Sequence, residues 1–123
     1  MAIVVAAALM AGAWAYRDSE RRHAIDVATG GVGGRAIPIM RANGCAACHT
    51  IAGVPGARGL VGPRLDATLS SRIYLAGVLP NNTENMVRWL RSARAIAPHT
   101  AMPSTGISEQ EARDVAAYLY ALR

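Results

Sequence analysis

Both cysteines of the chain lie in the stretch "GCAACHT" (44–50), three positions apart and followed at once by a histidine. Two thiols and an imidazole within five positions indicate a shared chemical role. There are three candidates: a zinc site, a redox disulfide or a covalently attached haem. Because each requires a different environment, this motif constrains the fold more than any other feature of the sequence.

The motif favours haem over the other two candidates. A structural zinc site needs four ligands, whereas the motif supplies at most three, and His23 or His99 would have to be the fourth. A thioredoxin-like disulfide needs a βαβ setting, but a helical pattern precedes the motif and no strand alternation follows it. In C-x-x-C-H, two cysteines three apart reach the two vinyl groups of one haem edge. We therefore expect Cys45 and Cys48 to be attachment points and His49 an axial iron ligand.

A second axial ligand should be a soft donor on a loop well after the motif. Met102 lies in "HTAMPSTGIS", an irregular stretch 53 positions after His49, and Pro103 restricts the backbone beside it. A thioether opposite a histidine raises the haem potential. The alternative is His99, which would give a bis-histidine haem of lower potential. The other methionines are interpreted as packing residues, two of them on helical apolar patterns and one in the apolar N-terminal stretch: Met40, Met86 and Met10.

Four further residues are candidates for contact with a haem or its ligand. The carbonyl of Pro63, in "VGPRL", is placed to accept the Nδ1–H of His49 and so to orient the ring, although a simple turn proline is the alternative. Arg72, Tyr74 and Trp89 could donate to the haem propionates, with plain packing or surface exposure as the alternative for each. Tyr118 and Tyr120 are expected to pack helix against helix.

The strongest helical signal is the C-terminal "SEQEARDVAAYLYALR". Ser108 and Glu111 form a capping box before an apolar stripe, which predicts a helix over 109–122. A second helix is predicted over "TENMVRWLRSARA", with Thr83 as N-cap and an end before Pro98. A shorter helix, "AIPIMRAN", leads into the motif, and one short helix is predicted near 70–77. We expect no strands.

The N-terminal region divides by composition. Residues 1–16 carry no charged side chain, which predicts a membrane anchor. As a helix they would span about 24 Å, somewhat less than a bilayer core. The alternative is a signal peptide, cleaved or uncleaved. Residues 17–34 predict a flexible linker, although 17–29 could instead continue the helix. Residues 35–123 form the domain. Arg17, Arg21 and Arg22 follow the apolar run, and the positive-inside rule alone would place the domain in the cytoplasm, so we expect the native start to lie upstream of Met1.

The charge balance limits the class of partner. All thirteen basic side chains are arginines and the net charge is +5, but they are scattered from Arg17 to Arg123. Nucleic-acid binding would need them clustered on one element with aromatic platforms, so that class is set aside. An acidic protein partner, met through electrostatic steering, fits the charge.

The residues "GCAACHT…GPRL…AMPSTGIS…ARDVAAYLYALR" resemble a class I cytochrome c over 35–123, since attachment motif, Gly-Pro loop, Met-Pro loop and terminal helix follow in the expected order. More narrowly, the chain is similar to the cytochrome c domain fused to subunit II of caa3-type terminal oxidases. The resemblance implies one covalent haem c with His49 and Met102 as axial ligands. The chain departs from this pattern in two respects. It has no copper-binding subunit II domain, and Met40 stands before the motif at a place that an aromatic residue often takes in the family.

The expectation is therefore an all-α protein, a small cytochrome c fold around one haem iron, preceded by a single N-terminal transmembrane helix. It would be a membrane-anchored electron carrier and not an enzyme, facing the periplasm at a bacterial inner membrane. Its partners would be redox complexes such as a terminal oxidase and a quinol-oxidising complex. The alternatives are a fixed haem c subunit of a larger oxidase or dehydrogenase, and an enzyme or gas sensor in which Met102 dissociates.

Overall fold

The computed structural model describes all 123 residues and is mostly helical. Its helices in chain order are α1 (Ala2–Thr29), α2 (Ala36–Ala42), α3 (Cys45–Cys48), α4 (Thr83–Ile96) and α5 (Glu109–Ala121). A 3₁₀ turn, Gly33–Arg35, connects α1 to α2. Two short strands, β1 (Tyr74–Leu75) and β2 (Leu79–Pro80), pair antiparallel within the long connection between α3 and α4.

Side-chain caps explain where the two long helices of the domain begin. Ser108 Oγ accepts from Glu111 N at 3.1 Å and Glu111 Oε2 accepts from Ser108 N at 2.8 Å, which confirms the capping box of α5. The N-cap of α4 is Asn82 and not Thr83, because the Asn82 side chain accepts from Asn85 N at 2.9 Å. Asparagine is a better cap than threonine, so the helix begins one residue earlier than predicted.

The helix predicted near 70–77 and the expectation of no strands are both wrong. A 3₁₀ turn, Leu69–Ser71, is followed by the β1–β2 hairpin. The chain cannot be helical through the hairpin turn, because Ala76 and Gly77 have φ of 50° and 72°. Consecutive residues at positive φ form the tight turns that suit the twist of a β-hairpin.

The core forms around α5, which contacts α1, α2 and α4. Its predicted apolar stripe is buried over four positions: Ala112, Val115, Ala116 and Leu119. The two alanines are fully buried, and their small side chains allow neighbouring helices to approach closely. Met40 of α2, also buried, packs in the same cluster.

The N-terminal helix is longer than its apolar part. α1 runs unbroken for 28 residues, about 42 Å, and ends at Gly30, which adopts the left-handed conformation at φ 67°. Residues 17–29, predicted as linker, are therefore helical, as in the alternative that they continue the helix. No helix of the structure combines the length and the apolar composition needed to cross a membrane.

The second half of α1 is attached to the domain through a buried carboxylate. Asp18 is 8% exposed and lies 2.7 Å from Arg22 Nε and 3.2 Å from Arg123 Nη2, while Arg21 Nη2 donates to Ala121 O. The hydrogen bond from Arg22 holds the pKa of Asp18 below its usual value. The carboxylate therefore stays ionised at neutral pH and links α1 to the end of α5.

The far end of α1 is attached by a second set of contacts. Asp114, 3% exposed, accepts from Val32 N at 2.7 Å, and Arg113 donates to Thr29 O at 3.1 Å. Arg113 also pairs with Glu84 at the start of α4, at 3.0 Å. Because both ends of 18–29 are tied to α5, this part of α1 belongs to the packed domain, whereas residues 2–17 remain exposed.

Neutralising Asp18 should release this half of α1. In Asp18→Asn the arginines lose their counter-charge, so amide exchange over 18–29 should quicken several-fold while α5 keeps its protection. Because the folded pKa is lowered, the contribution of Asp18 to stability is complete above its unfolded pKa and is lost as pH falls through the folded one. Exchange measured by mass spectrometry checks the effect. Glu20→Gln, which removes an exposed charge on the same helix, is the control. Equal exchange over 18–29 in the two variants would contradict the role of Asp18.

Candidate heme-binding site

One mainly apolar cavity of about 270 Å³ collects the residues that the sequence singled out. It lies between the motif, the hairpin, α4 and the loop that precedes α5. All eight predicted site residues line it: Cys45, Cys48, His49, Pro63, Arg72, Tyr74, Trp89 and Met102. The fold therefore brings the predicted site residues together at one cavity from five separate segments of the chain.

The motif is held by a loop that passes directly against it. His49 N donates to Cys45 O at 2.9 Å, and Gly62 N donates to Cys48 O at 2.7 Å. A Cβ on Gly59 would lie 2.5 Å from the backbone of Ala47, closer than atoms can approach. Glycine is therefore required here, because a side chain would push the loop away from the cysteines.

The predicted contact between His49 and Pro63 is present. Nδ1 of His49 lies 2.7 Å from the carbonyl oxygen of Pro63. A carbonyl can only accept, so Nδ1 carries the proton and Nε2 is the nitrogen with a free lone pair. Such a second hydrogen bond fixes the ring and makes a ligating imidazole a better donor.

Gly62 fixes the position of this imidazole by close approach. A Cβ at residue 62 would lie 2.7 Å from His49 Nδ1, so Gly62→Ala should displace the ring and break its bond to Pro63. Overpacking of this kind costs about 1–3 kcal/mol. Thermal unfolding and the spectrum of the haem-loaded protein check the result. Gly34→Ala, which meets nothing within 4 Å, is the matched control, and equal stability in the two variants would contradict the close contact.

The loop that carries Met102 is joined to α4 where that helix is kinked. Ser92 has non-helical angles (φ −142°, ψ 46°), which frees backbone groups on both sides of it. Three hydrogen bonds from the loop satisfy them: Thr105 Oγ1 to Leu90 O (2.7 Å), Gly106 N to Arg91 O (3.2 Å) and Arg94 N to Ser104 Oγ (3.3 Å). Met102 is thereby held, partly buried, at the cavity.

The other predicted contacts differ in their surroundings. Trp89, on α4, is 8% exposed, whereas Tyr74, on β1, is 56% exposed at the cavity rim. Arg72 Nη2 donates to Arg64 O at 3.1 Å, so this guanidinium is engaged with the loop that follows Pro63. His99, the alternative axial ligand, is exposed and does not line the cavity.

Two residues that shape the site were not foreseen. Gly59 and Asn81 carry no ligand chemistry, and nothing in their local sequence identifies them as contacts of distant segments. Asn81 donates to Leu69 O and Arg72 O, both at 2.9 Å, and so joins the two ends of a turn on the cavity wall. The two tyrosines predicted to pack between helices do pack against the core, and their hydroxyls also reach loops: Tyr118 donates to Ala52 O and Tyr120 to Asn81 Oδ1, both at 2.7 Å.

The donor set fits a covalently attached haem. The two thiols are free and lie at the same cavity as the imidazole and the thioether, which are the groups needed for attachment and for two axial bonds. Burial raises the pKa of the Cys45 thiol, as expected for a thiol that faces an apolar space. The apolar lining supplies the low-polarity surroundings that a haem ring requires.

Comparison with known proteins supports this fit. The sequence model of the cytochrome c family matches residues 38–123. A curated relative, cytochrome c oxidase subunit 2 of Alkalihalophilus pseudofirmus, is 30% identical over 86 residues, which cover 69% of this chain and 24% of the relative. The chain thus spans about a quarter of the length of that relative. No solved structure matches this chain.

Proposed function

The chain belongs to the cytochrome c family, whose members bind haem c covalently through a CxxCH motif, and we propose that it passes single electrons between respiratory-chain partners, with a terminal oxidase as acceptor. One observation carries the proposal. His49 and Met102 line the same cavity as the two motif cysteines. This arrangement can attach the group and supply both axial ligands from the protein.

The axial pair favours electron transfer over catalysis at the iron. The bound haem supplies a one-electron change of its iron. If His49 and Met102 both held the iron, no position on it would remain open to oxygen, peroxide or carbon monoxide. The hydrogen bond from His49 to Pro63 and the hydrogen-bonded loop around Met102 hold both donor side chains in place. An enzyme or gas sensor would instead need one of them to leave.

The exposed part of α1 supports attachment to a membrane, which we propose to be a bacterial inner membrane with the cytochrome domain on its periplasmic side. Residues 2–16 carry no charge and lie outside the packed domain, with Trp14 and Tyr16 exposed at the end of this stretch. An apolar surface of this kind needs a lipid or protein partner. Aromatic residues at its end suit a membrane interface.

The oxidase as acceptor rests on the relative, whose name is that of an oxidase subunit. The net charge of +5 suits a brief encounter with an acidic docking surface. A second candidate, a fixed subunit of a larger complex, is favoured by α1, since Asp18 and Asp114 attach it to the domain instead of leaving a flexible tether.

Solubilisation under mild detergent separates the two candidates. Membranes containing the full chain are extracted, and the haem protein is followed by size and by its oxidation when oxidase-containing membranes are added. A carrier should migrate alone and be oxidised at a rate that falls with salt. Migration with a large complex would select the fixed subunit, and no oxidation in either form would reject an oxidase as acceptor.

A further inference from the structure

Asn81 makes four hydrogen bonds to three different parts of the chain. Its Nδ2 donates to Leu69 O and Arg72 O at 2.9 Å each, and its backbone N donates to Ile73 O at 2.9 Å. Its Oδ1 accepts from Tyr120 on α5 at 2.7 Å. Because carbonyls only accept, the orientation of the amide is determined, and every side-chain bond it makes stays within the protein.

These bonds close the base of one loop, residues 69–80, here called the wall segment. It leaves the domain at Leu69, forms the β1–β2 hairpin and returns at Asn81. Five of its residues line the cavity: Leu69, Arg72, Tyr74, Leu75 and Ala76. Leu75 is buried, whereas Ile73 and Val78 are 79% and 50% exposed, so little apolar packing holds the outer part of the loop in place.

Tyr120 fixes the amide that closes the loop. Its ring is part of the packing around α5, and burial raises the pKa of Tyr120 to about 12, so the hydroxyl keeps its proton and donates at any physiological pH. Asn81 is therefore the junction between the rigid terminal helix and the wall segment.

We infer that Asn81, oriented by Tyr120, is a positioning residue that holds the wall segment closed against the cavity and so sets how far water reaches the redox centre. The inference rests on the proposed function, since the cavity must hold the haem. Asn81 does not line the cavity itself; it acts through the carbonyls of Leu69 and Arg72, two residues that do. Burial and surrounding polarity are among the means by which a protein sets a haem potential. A loosened wall admits water, stabilises the oxidised form and lowers the midpoint potential.

Two tyrosines on the same helix provide a matched comparison. Tyr120→Phe removes the bond to Asn81, and Tyr118→Phe removes a bond of the same length to Ala52 O, away from this cavity. Each variant loses one hydroxyl hydrogen bond and keeps its ring. Midpoint potential and amide exchange over 69–81 are measured on the full haem-loaded chain. Asn81→Asp, which cannot donate to the two carbonyls, is the stronger third variant.

Tyr120→Phe should lower the midpoint potential and quicken exchange over 69–81 about fivefold, the factor that one lost hydrogen bond corresponds to. Tyr118→Phe should lose similar global stability and leave both readouts unchanged, and Asn81→Asp should exceed Tyr120→Phe in both. Equal potentials and equal exchange in the two tyrosine variants would overturn the inference, even if Asn81→Asp fails to fold. Absence of covalent haem from the unaltered chain would instead reject the proposed function.

Discussion

Changing Cys45 and Cys48 together to serine is expected to abolish covalent haem attachment and to leave the domain largely unfolded. The domain is small, and a cavity of about 270 Å³ lies among its core residues, so packing alone gives it a narrow margin of stability. A bound haem would fill this space and, held by Met102 as proposed, would join α3 to the loop of Met102. Without it, near-ultraviolet circular dichroism should be lost and amide exchange should quicken throughout the domain.

The single variants are the controls for this experiment. Cys45→Ser and Cys48→Ser each leave one thioether possible, so each should retain haem through denaturation, in lower yield than the unaltered chain. Serine is close to cysteine in size, and both side chains are only half-buried, so the substitutions themselves disturb packing little. A double variant that still carries haem after denaturation in acid and solvent would contradict the role of these cysteines.

Changing Met102 to alanine is expected to have the largest effect on the redox chemistry. Loss of the thioether opens one axial position, so the methionine–iron charge-transfer band should disappear and the reduced protein should bind carbon monoxide. Axial ligands set haem potentials over roughly 0.8 V, and we expect a fall on the order of 100 mV or more. Visible spectroscopy and a potentiometric titration measure both effects.

His99→Ala and Met10→Ala separate this role from its alternatives. His99 is exposed and away from the cavity, and Met10 is 67% exposed on α1, so both variants should keep the potential and the charge-transfer band. Should His99→Ala remove the second axial bond while Met102→Ala leaves it intact, the site would be a bis-histidine haem and the proposed axial pair would be wrong.

The sequence identified eight residues of the cavity lining because the chemistry assigned to them depends mainly on residue type and spacing. The spacing of Cys45, Cys48 and His49 is itself the attachment geometry, and the capping box at Ser108 depends only on residues three apart. Pro63 could be matched to His49 because a carbonyl is the usual partner of a ligating imidazole. In each case the residue types alone specify the contact.

The features that were missed depend on segments distant in the chain. The charge run after Tyr16 was interpreted as a linker, yet Asp18 finds Arg123 at the other end of the chain and becomes buried. The hairpin depends on Ala76 at positive φ, a conformation that alanine rarely adopts. No role was predicted for Asn81, because its contacts depend on Tyr120, 39 positions away.

The central claim, that this chain carries one covalently attached haem held by its CxxCH motif, is tested most directly on the denatured protein. The full chain, made in cells that attach haem c, is denatured and its pyridine-haemochrome spectrum and intact mass are recorded. We predict a c-type spectrum, one haem per chain and a tryptic haem peptide containing Cys45 and Cys48. A haem that is released on denaturation, or a mass equal to that of the bare polypeptide, would contradict the account.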